Sequence, residues 1–335
     1  MADTLTASTP TAGRTLGMGE SQAVVGRPSQ FAPFSQGLLR AAEMHPELVV
    51  LTADLGKYTD VHDFRREHPE RFFNVGMAEQ SLVMVAAGLS KVGKVAYCTT
   101  YGTFASRRAY DFIAIACAHS HENVKVFAGN PGLASGYGGT HQAIEDLALM
   151  RSIPNLTVMD PGDATEMAQI AEMAAGLPGT LYCRLLRAHV PVVFDPATHR
   201  VQVGRGHVVG QGGRIGFVST GVMTERCLDA KAHFDTLGHP AAVFHTATLK
   251  PFDTEGLLRF AATVDRLVVA ENHVAMGGLA SLVVDALYEA GVHKPLLKIA
   301  IPDQFIECGS QAFLYDRYGL STARICQRVS AWIGA

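Results

Sequence analysis

Charge is scarce in this sequence. Asp, Glu, Lys and Arg make up only 18% of the 335 residues, they nearly cancel to a formal net charge of -3, and no long Lys/Arg block occurs. That balance argues against a nucleic-acid surface or an anionic membrane as the main partner and favours a small molecule or another protein. Long apolar runs are missing too: no stretch of about 18 uninterrupted apolar residues occurs, and the first residues contain no basic segment leading into an apolar run with a small-residue cleavage site. These absences point to a soluble, cytoplasmic protein. The six cysteines include no Cys-x-x-Cys pair, so a zinc ribbon or thioredoxin-like motif is not indicated and reduced core thiols are expected. His119 and His121 stand two apart and would not share a helix face, which argues against a metal site there.

What the chain does have is apolar content, 48% of its residues, enough to fill two domains at about 150 residues each. Residues 1–28 are rich in Thr, Ser, Gly, Ala and Pro without sustained period, the composition of a flexible tail. From residue 29 short apolar runs alternate with helical patterns. The runs at 49–51, 95–99, 124–128, 156–159 and 180–184 read as strands, and 79–89, 106–118, 142–150 and a stretch from Asp163 read as helices, the last with an Asp163/Glu166 capping box. A Pro- and Val-containing connector over 190–205 interrupts the rhythm, which resumes with strands at 214–219, 241–245, 267–271 and 296–301 and helices at 280–290 and 322–332. The fold class is therefore α/β, two doubly wound domains spanning 29–200 and 201–335.

The segment Asn74-Val75-Gly76-Met77-Ala78-Glu79-Gln80 sets a carboxylate at the start of an apolar helix, where it suits the helix macrodipole and can also hydrogen-bond a basic ring nitrogen. This segment closely resembles the Asn-Val-Gly-Ile-Ala-Glu-Gln signature of transketolases and 1-deoxy-D-xylulose-5-phosphate synthases. Thr140-His141-Gln142, Ile153-Pro154-Asn155, Pro161-Gly162-Asp163, the stretch Leu249 to Asp253 and Gly277-Gly278 extend the resemblance over nearly the whole chain. It implies a pyrimidine-binding domain followed by a transketolase C-terminal domain, with thiamine diphosphate as cofactor. It also implies that Glu79 hydrogen-bonds the cofactor's aminopyrimidine ring and favours its imino tautomer, and that a two-carbon ketol unit passes from a ketose to an aldehyde.

The same resemblance assigns further residues. Tyr101 and Phe104, at i and i+3 after a strand, match the aromatic pair that grips the pyrimidine, and Arg108 and Tyr110 resemble the synthase branch, Arg108 as a cofactor contact. His141, on a glycine-rich loop, matches the histidine that contacts donor hydroxyls and moves protons. Arg187 matches the arginine that clamps a substrate phosphate, and Lys57 is a second candidate for an anionic tail. Glu271-Asn272-His273 resembles an element of the C-terminal domain and reads as packing or an interface.

Several family positions have changed. Phe34 is the nearest match where a second phosphate-binding Arg is usual, Gly129 stands where a substrate His is usual, and Tyr137 and Gly139 replace an acid and a proline before Thr-His. Sugar, sugar phosphate and sulfonate substrates all stay compatible. The sequence also contains no Gly-Asp-Gly, the motif whose domain binds the magnesium ion bridging the cofactor's diphosphate. The resemblance then implies a partner, an N-terminal transketolase subunit carrying that diphosphate and Mg2+ site, in a heterotetramer with two copies of each chain. Rival readings are the β subunit of a 2-oxo acid dehydrogenase, whose helix-start motif runs closer to Leu-Ser-Glu, and a non-catalytic partner or sensor that keeps the fold.

Overall fold

The computed structural model describes residues 27–134 and 136–334; the expected tail lies almost wholly outside them. In chain order the strands are β1 Ser29–Phe31, β2 Leu48–Thr52, β3 Phe72–Asn74, β4 Val95–Tyr101, β5 Val124–Gly129, β6 Thr157–Met159, β7 Leu181–Leu185 and β8 His189–Pro191. They continue with β9 His207–Val209, β10 Gly213–Ser219, β11 Ala241–His245, β12 Thr248–Lys250, β13 Val264–Val274 and β14 Leu296–Ile301.

Strands β2, β4, β5 and β7 are buried at every residue, as strands covered on both faces must be, and this is why they read as largely apolar runs, interrupted by Lys125 in β5 and Arg184 in β7. They form a seven-stranded sheet in the order β12-β6-β7-β5-β4-β2-β3. Its members run parallel except β12, which lies antiparallel to β6. A five-stranded sheet, β14-β13-β10-β11-β9, holds the later strands. In the first sheet β3 lies on one side of β2 and β4 on the other. The strand order therefore reverses between β2 and β4, and their carboxyl ends form the switch point where doubly wound sheets bind ligands.

The helix Glu79–Lys91 buries Leu82, Val83, Ala86 and Ala87 on one face, and ends where Gly93 enters the left-handed region at φ 85°. Two expected helices differ. The one expected over 106–118 begins directly after β4, at Gly102, ends at Arg108 and is followed by a π-helical turn, Phe112–Ala118. The one expected over 142–150 starts only at Asp146, because Ala143 is held in a bridge to Pro131 and its carbonyl accepts the Gly132 N–H at 2.7 Å. Asp163 caps its helix by accepting the Glu166 N–H at 2.8 Å. The Glu166 side chain turns instead to the Gly162 N–H at 2.8 Å and to the rings of His199 and His245 at 2.9 and 2.8 Å.

The halves meet around Arg184, which is 1% exposed. Its guanidinium donates to Asp146 at 2.5 and 3.0 Å, to Asp160 at 3.2 Å and to the Asn272 carbonyl at 3.2 Å. Burial pushes the Asp160 carboxyl up to about 6 against the pull of Arg184. Burial acts on Asp146 as well, but Arg184 grips it through two nitrogens and holds it below the usual carboxylate range. All six cysteines are free thiols, and no helix among the described residues is long and apolar enough to cross a membrane.

Two stability predictions follow from these buried charges. Arg184→Met leaves two carboxylates without their cation and lowers stability by about 3–5 kcal/mol, read as a fall in the urea midpoint; an unchanged midpoint would contradict the account. Burial works against the Glu166 carboxylate, yet His245, His199 and the Gly162 amide hold it well below its ordinary value of 4.5. A depressed acid adds stability that is present above its unfolded value and lost as pH falls below it. The melting-temperature gap between wild type and Glu166→Gln therefore narrows as pH drops below about 4.5, and a gap constant with pH would refute the linkage.

Candidate active site

Glu79 lies beyond the end of β3, and the residues before it explain how it is held. The Asn74 side-chain oxygen accepts from the Asp54 and Gly76 amides, each at 3.0 Å, and its nitrogen donates to the Asp54 carboxylate at 2.9 Å. The Asn and Gly of the signature therefore shape the turn, and the Glu is what the turn delivers. Its side chain is 5% exposed, and both carboxylate oxygens accept from Arg108 Nη1, at 3.0 and 3.1 Å.

The Arg108 guanidinium carbon lies 4.1 Å from the Phe104 ring centroid. Phe104 stacks against Tyr101 at 5.7 Å and 29°, and His141 meets both rings edge-on, at 5.4 and 6.2 Å. Thr140 pairs through its hydroxyl with His141 Nδ1 at 2.8 Å, and Tyr137 lies against the same imidazole at 5.4 Å. The Tyr101 hydroxyl hydrogen-bonds Asn130, while burial pushes its ionisation up against the pull of Arg187. Arg187 Nε donates to Asn130 Oδ1 at 3.3 Å. Glu79, Arg108, Phe104, Tyr101, His141 and Arg187 are thus brought into one cluster at the carboxyl ends of the parallel strands.

Two candidates stand apart from it. Lys57 is exposed on a 3-10 turn, its Nζ 5.8 Å from the Tyr58 ring, and Tyr110 pairs through its hydroxyl with Ser152 at 2.9 Å. The altered positions divide as well. Phe34 is fully buried against Phe127, with ring centroids 4.7 Å apart, so it belongs to the core. A side chain at Gly129 would stand 3.5 Å from the Tyr101 ring, so its absence leaves room beside the cluster.

Sequence reasoning missed Asn130 and Asp60. Asn130 joins Arg187 to Tyr101, and Asp60 accepts the Ala188 N–H at 2.7 Å. Asn130, Asp60, Asp54 and Ala188 all take positive φ, from 53° to 58°, at the strand ends where backbone strain collects around functional sites. The available signal was Asn130-Pro131-Gly132 immediately after an apolar run. The second half supports the cluster from below. Asn272 Oδ1 accepts the Leu133 N–H at 3.0 Å, and the Glu271 carboxylate caps the helix Leu279–Glu289 through the Leu279 and Ala280 amides, at 2.6 and 3.0 Å. The packing role read for Glu271-Asn272-His273 agrees with these bonds.

Known proteins match this arrangement. Residues 31–192 match the family "Transketolase, pyrimidine binding domain", and residues 204–325 the family "Transketolase, C-terminal domain". A putative transketolase family protein of Sinorhizobium fredii is 43% identical, over 92% of this chain and 90% of that one. The 6-deoxy-6-sulfo-D-fructose transketolase subunit of a Clostridium species is 34% identical, over 86% of this chain and 89% of its own. A solved split-gene transketolase, an inactive β4 tetramer, shares 38% identity with a TM-score of 0.80, over 90% of this chain and 97% of that one. The matches favour the transketolase reading over the 2-oxo acid dehydrogenase one. The chain belongs to the transketolase family, as the part bearing its pyrimidine-binding and C-terminal domains, and the cofactor that family implies is thiamine diphosphate.

The loop that carries His141 is set by Gly138, at φ 75°, where an added Cβ would meet Cys308 Sγ at 3.0 Å. Gly138→Ala therefore costs about 1–2 kcal/mol for the left-handed backbone plus the contact. Adding Cys308→Ala recovers only the contact share of the loss in melting temperature; full recovery would show that the backbone there carries no strain.

Proposed function

We propose that the chain is the pyrimidine-holding subunit of a split, thiamine-diphosphate-dependent transketolase. A second polypeptide holds the diphosphate and Mg2+, and two copies of each chain assemble in the cytoplasm. The reaction moves a two-carbon ketol unit from a ketose donor to an aldehyde acceptor. The observation that carries this reading is the buried Glu79 carboxylate at the β2/β4 switch point, beside the stacked Tyr101 and Phe104 rings. That donor set fits a flat, nitrogen-bearing ring: a carboxylate for the ring nitrogen and aromatic faces for the ring plane. The lack of Gly-Asp-Gly supports a diphosphate site supplied from outside these residues.

Thiamine diphosphate, when bound, supplies the carbanion-stabilising chemistry. This chain's residues do the rest. Glu79 holds the proton shared with the pyrimidine nitrogen and fixes the ring's orientation. Phe104 and Tyr101 keep water from the ring faces, and a dry site strengthens the Glu79 hydrogen bond. His141, turned toward these rings, accepts and returns the hydroxyl proton of the donor sugar. Arg187, steadied by Asn130, receives an anionic tail with its free guanidinium nitrogens, and Lys57 adds a mobile charge at the rim. A sulfonate or phosphate both suit that pair, and the sulfofructose-acting relative is in keeping with the former.

Glu79→Gln, reconstituted with the diphosphate-binding partner, should cut ketol transfer by a factor of about a thousand or more while the complex elutes unchanged on size exclusion. Wild-type turnover in that variant would remove the mechanism. Turnover of sugars by the purified chain alone, with magnesium and cofactor, would remove the split site.

A further inference from the structure

Among the described residues the hydrogen-bond partner of the Glu79 carboxylate is Arg108, whose side chain is 51% exposed while Glu79 is 5% exposed. A buried carboxylate needs a charge partner, and here it takes one that can swing into solvent. The guanidinium is flat, cationic and rich in N–H donors. It meets Glu79 through Nη1 at 3.0 and 3.1 Å and stacks over Phe104 at 4.1 Å. Those are the two contacts, a hydrogen bond to Glu79 and an aromatic face, that the proposed function asks of the pyrimidine ring.

We infer that Arg108 is a stand-in for the cofactor's ring: it occupies the Glu79 carboxylate and the Phe104 face until the ring enters, and is displaced to solvent when it does. This rests on the cofactor reading of Glu79, and it changes the role of Arg108 from a cofactor contact to a competitor. The geometry makes the exchange easy. Arg108 ends the helix Gly102–Arg108, so its side chain leaves without moving buried backbone. The neighbouring Arg107 is pinned in its own place, to the Gly139 carbonyl at 3.0 Å and to Glu145, and does not follow. Glu79 and Phe104 lose no partner in the exchange, because the incoming ring replaces both contacts. While it waits, Arg108 keeps a buried charge satisfied, so the slot stays formed in the absence of ligand.

The test is calorimetric titration of thiamine diphosphate, with magnesium, into the chain reconstituted with its diphosphate-binding partner. Arg108→Ala should tighten binding about fivefold, the worth of a half-exposed ion pair no longer to be broken. Arg108→Gln, which keeps the stem and a flat polar end, should move the same way by less, and guards against misfolding of the alanine variant. Without cofactor, both variants should melt below wild type, because Glu79 is left buried without its cation. In complexes made with isotope-labelled arginine, the Arg108 side-chain N–H signal should be protected before cofactor is added and exposed to exchange after saturation. Equal or weaker binding by Arg108→Ala, or a signal that stays protected, would overturn the inference and leave Arg108 a cofactor contact. Glu79→Gln in the same titration separates the two readings. If it fails to weaken binding, the cofactor reading itself falls; if it weakens binding while Arg108→Ala does not tighten it, only the stand-in falls.

Discussion

The arrangement depends on one guanidinium. Arg184, at the carboxyl side of β7, is the cation for two carboxylates that have no water to turn to, and its remaining bonds go to the Asn272 and Ala143 carbonyls. Each partner controls something else. Asp146 begins the helix behind the His141 loop and also accepts from the Tyr182 hydroxyl at 2.7 Å. Ala143 sits in the bridge to Pro131, one residue past Asn130. Asp160 and Asn272 belong to the seam with the second half. A replacement of equal size without charge would keep the packing and lose all four connections. Removing the cation alone is costly, because it leaves buried carboxylates unpaired.

The same cluster bears on why the chemistry collects in the first half although both sheets are doubly wound. In the second sheet the order reverses between β10 and β13, so a switch point lies at their carboxyl ends too. That switch point is filled. A Cβ at Gly221, which follows β10 at φ 56°, would lie 2.4 Å from the Asp160 carboxylate, and the Gly221 amide donates to the Asp160 carbonyl at 3.2 Å. The second half therefore spends its ligand-prone edge on holding the first. From that edge Asn272 reaches the Pro131–Leu133 turn, and the segment around Phe305 to Cys308 lies against Gly138 and Gly139. The two halves divide the labour between a site and its support.

The sequence made the sheet strands legible because strands buried on both faces are mostly apolar, as β2, β4 and β5 are, with Lys125 the charged exception in β5. It did not reveal β12, three residues that leave the second half to pair with β6, since nothing local distinguishes them from a loop. Helix starts failed where tertiary bonds took the backbone first, as at Ala143. At the site, residues with a motif were found and residues defined by conformation were not. Glu79 and His141 announce themselves by their neighbours, whereas Asn130 and Asp60 matter for a left-handed backbone and for hydrogen bonds to residues distant in the chain, neither of which a lone sequence displays. Arg108 was visible as a residue but not as a partner of Glu79, because the contact spans 29 positions and joins two helices.

The altered positions bear on substrate through space more than through charge. Phe34 is sealed under Phe127, so the position offers no cation and cannot regain one without opening the core. Gly129 leaves room beside Tyr101, on the side where Asn130 holds Arg187. A site without a cation at Phe34 or a ring at Gly129, yet with a guanidinium steadied by Asn130, fits the proposed anionic tail held chiefly by Arg187. Recognition through one planar fork selects the geometry of three equivalent oxygens over total charge. On that physical ground the proposed anionic tail can be a sulfonate, with one negative charge on three oxygens, as well as a phosphate dianion.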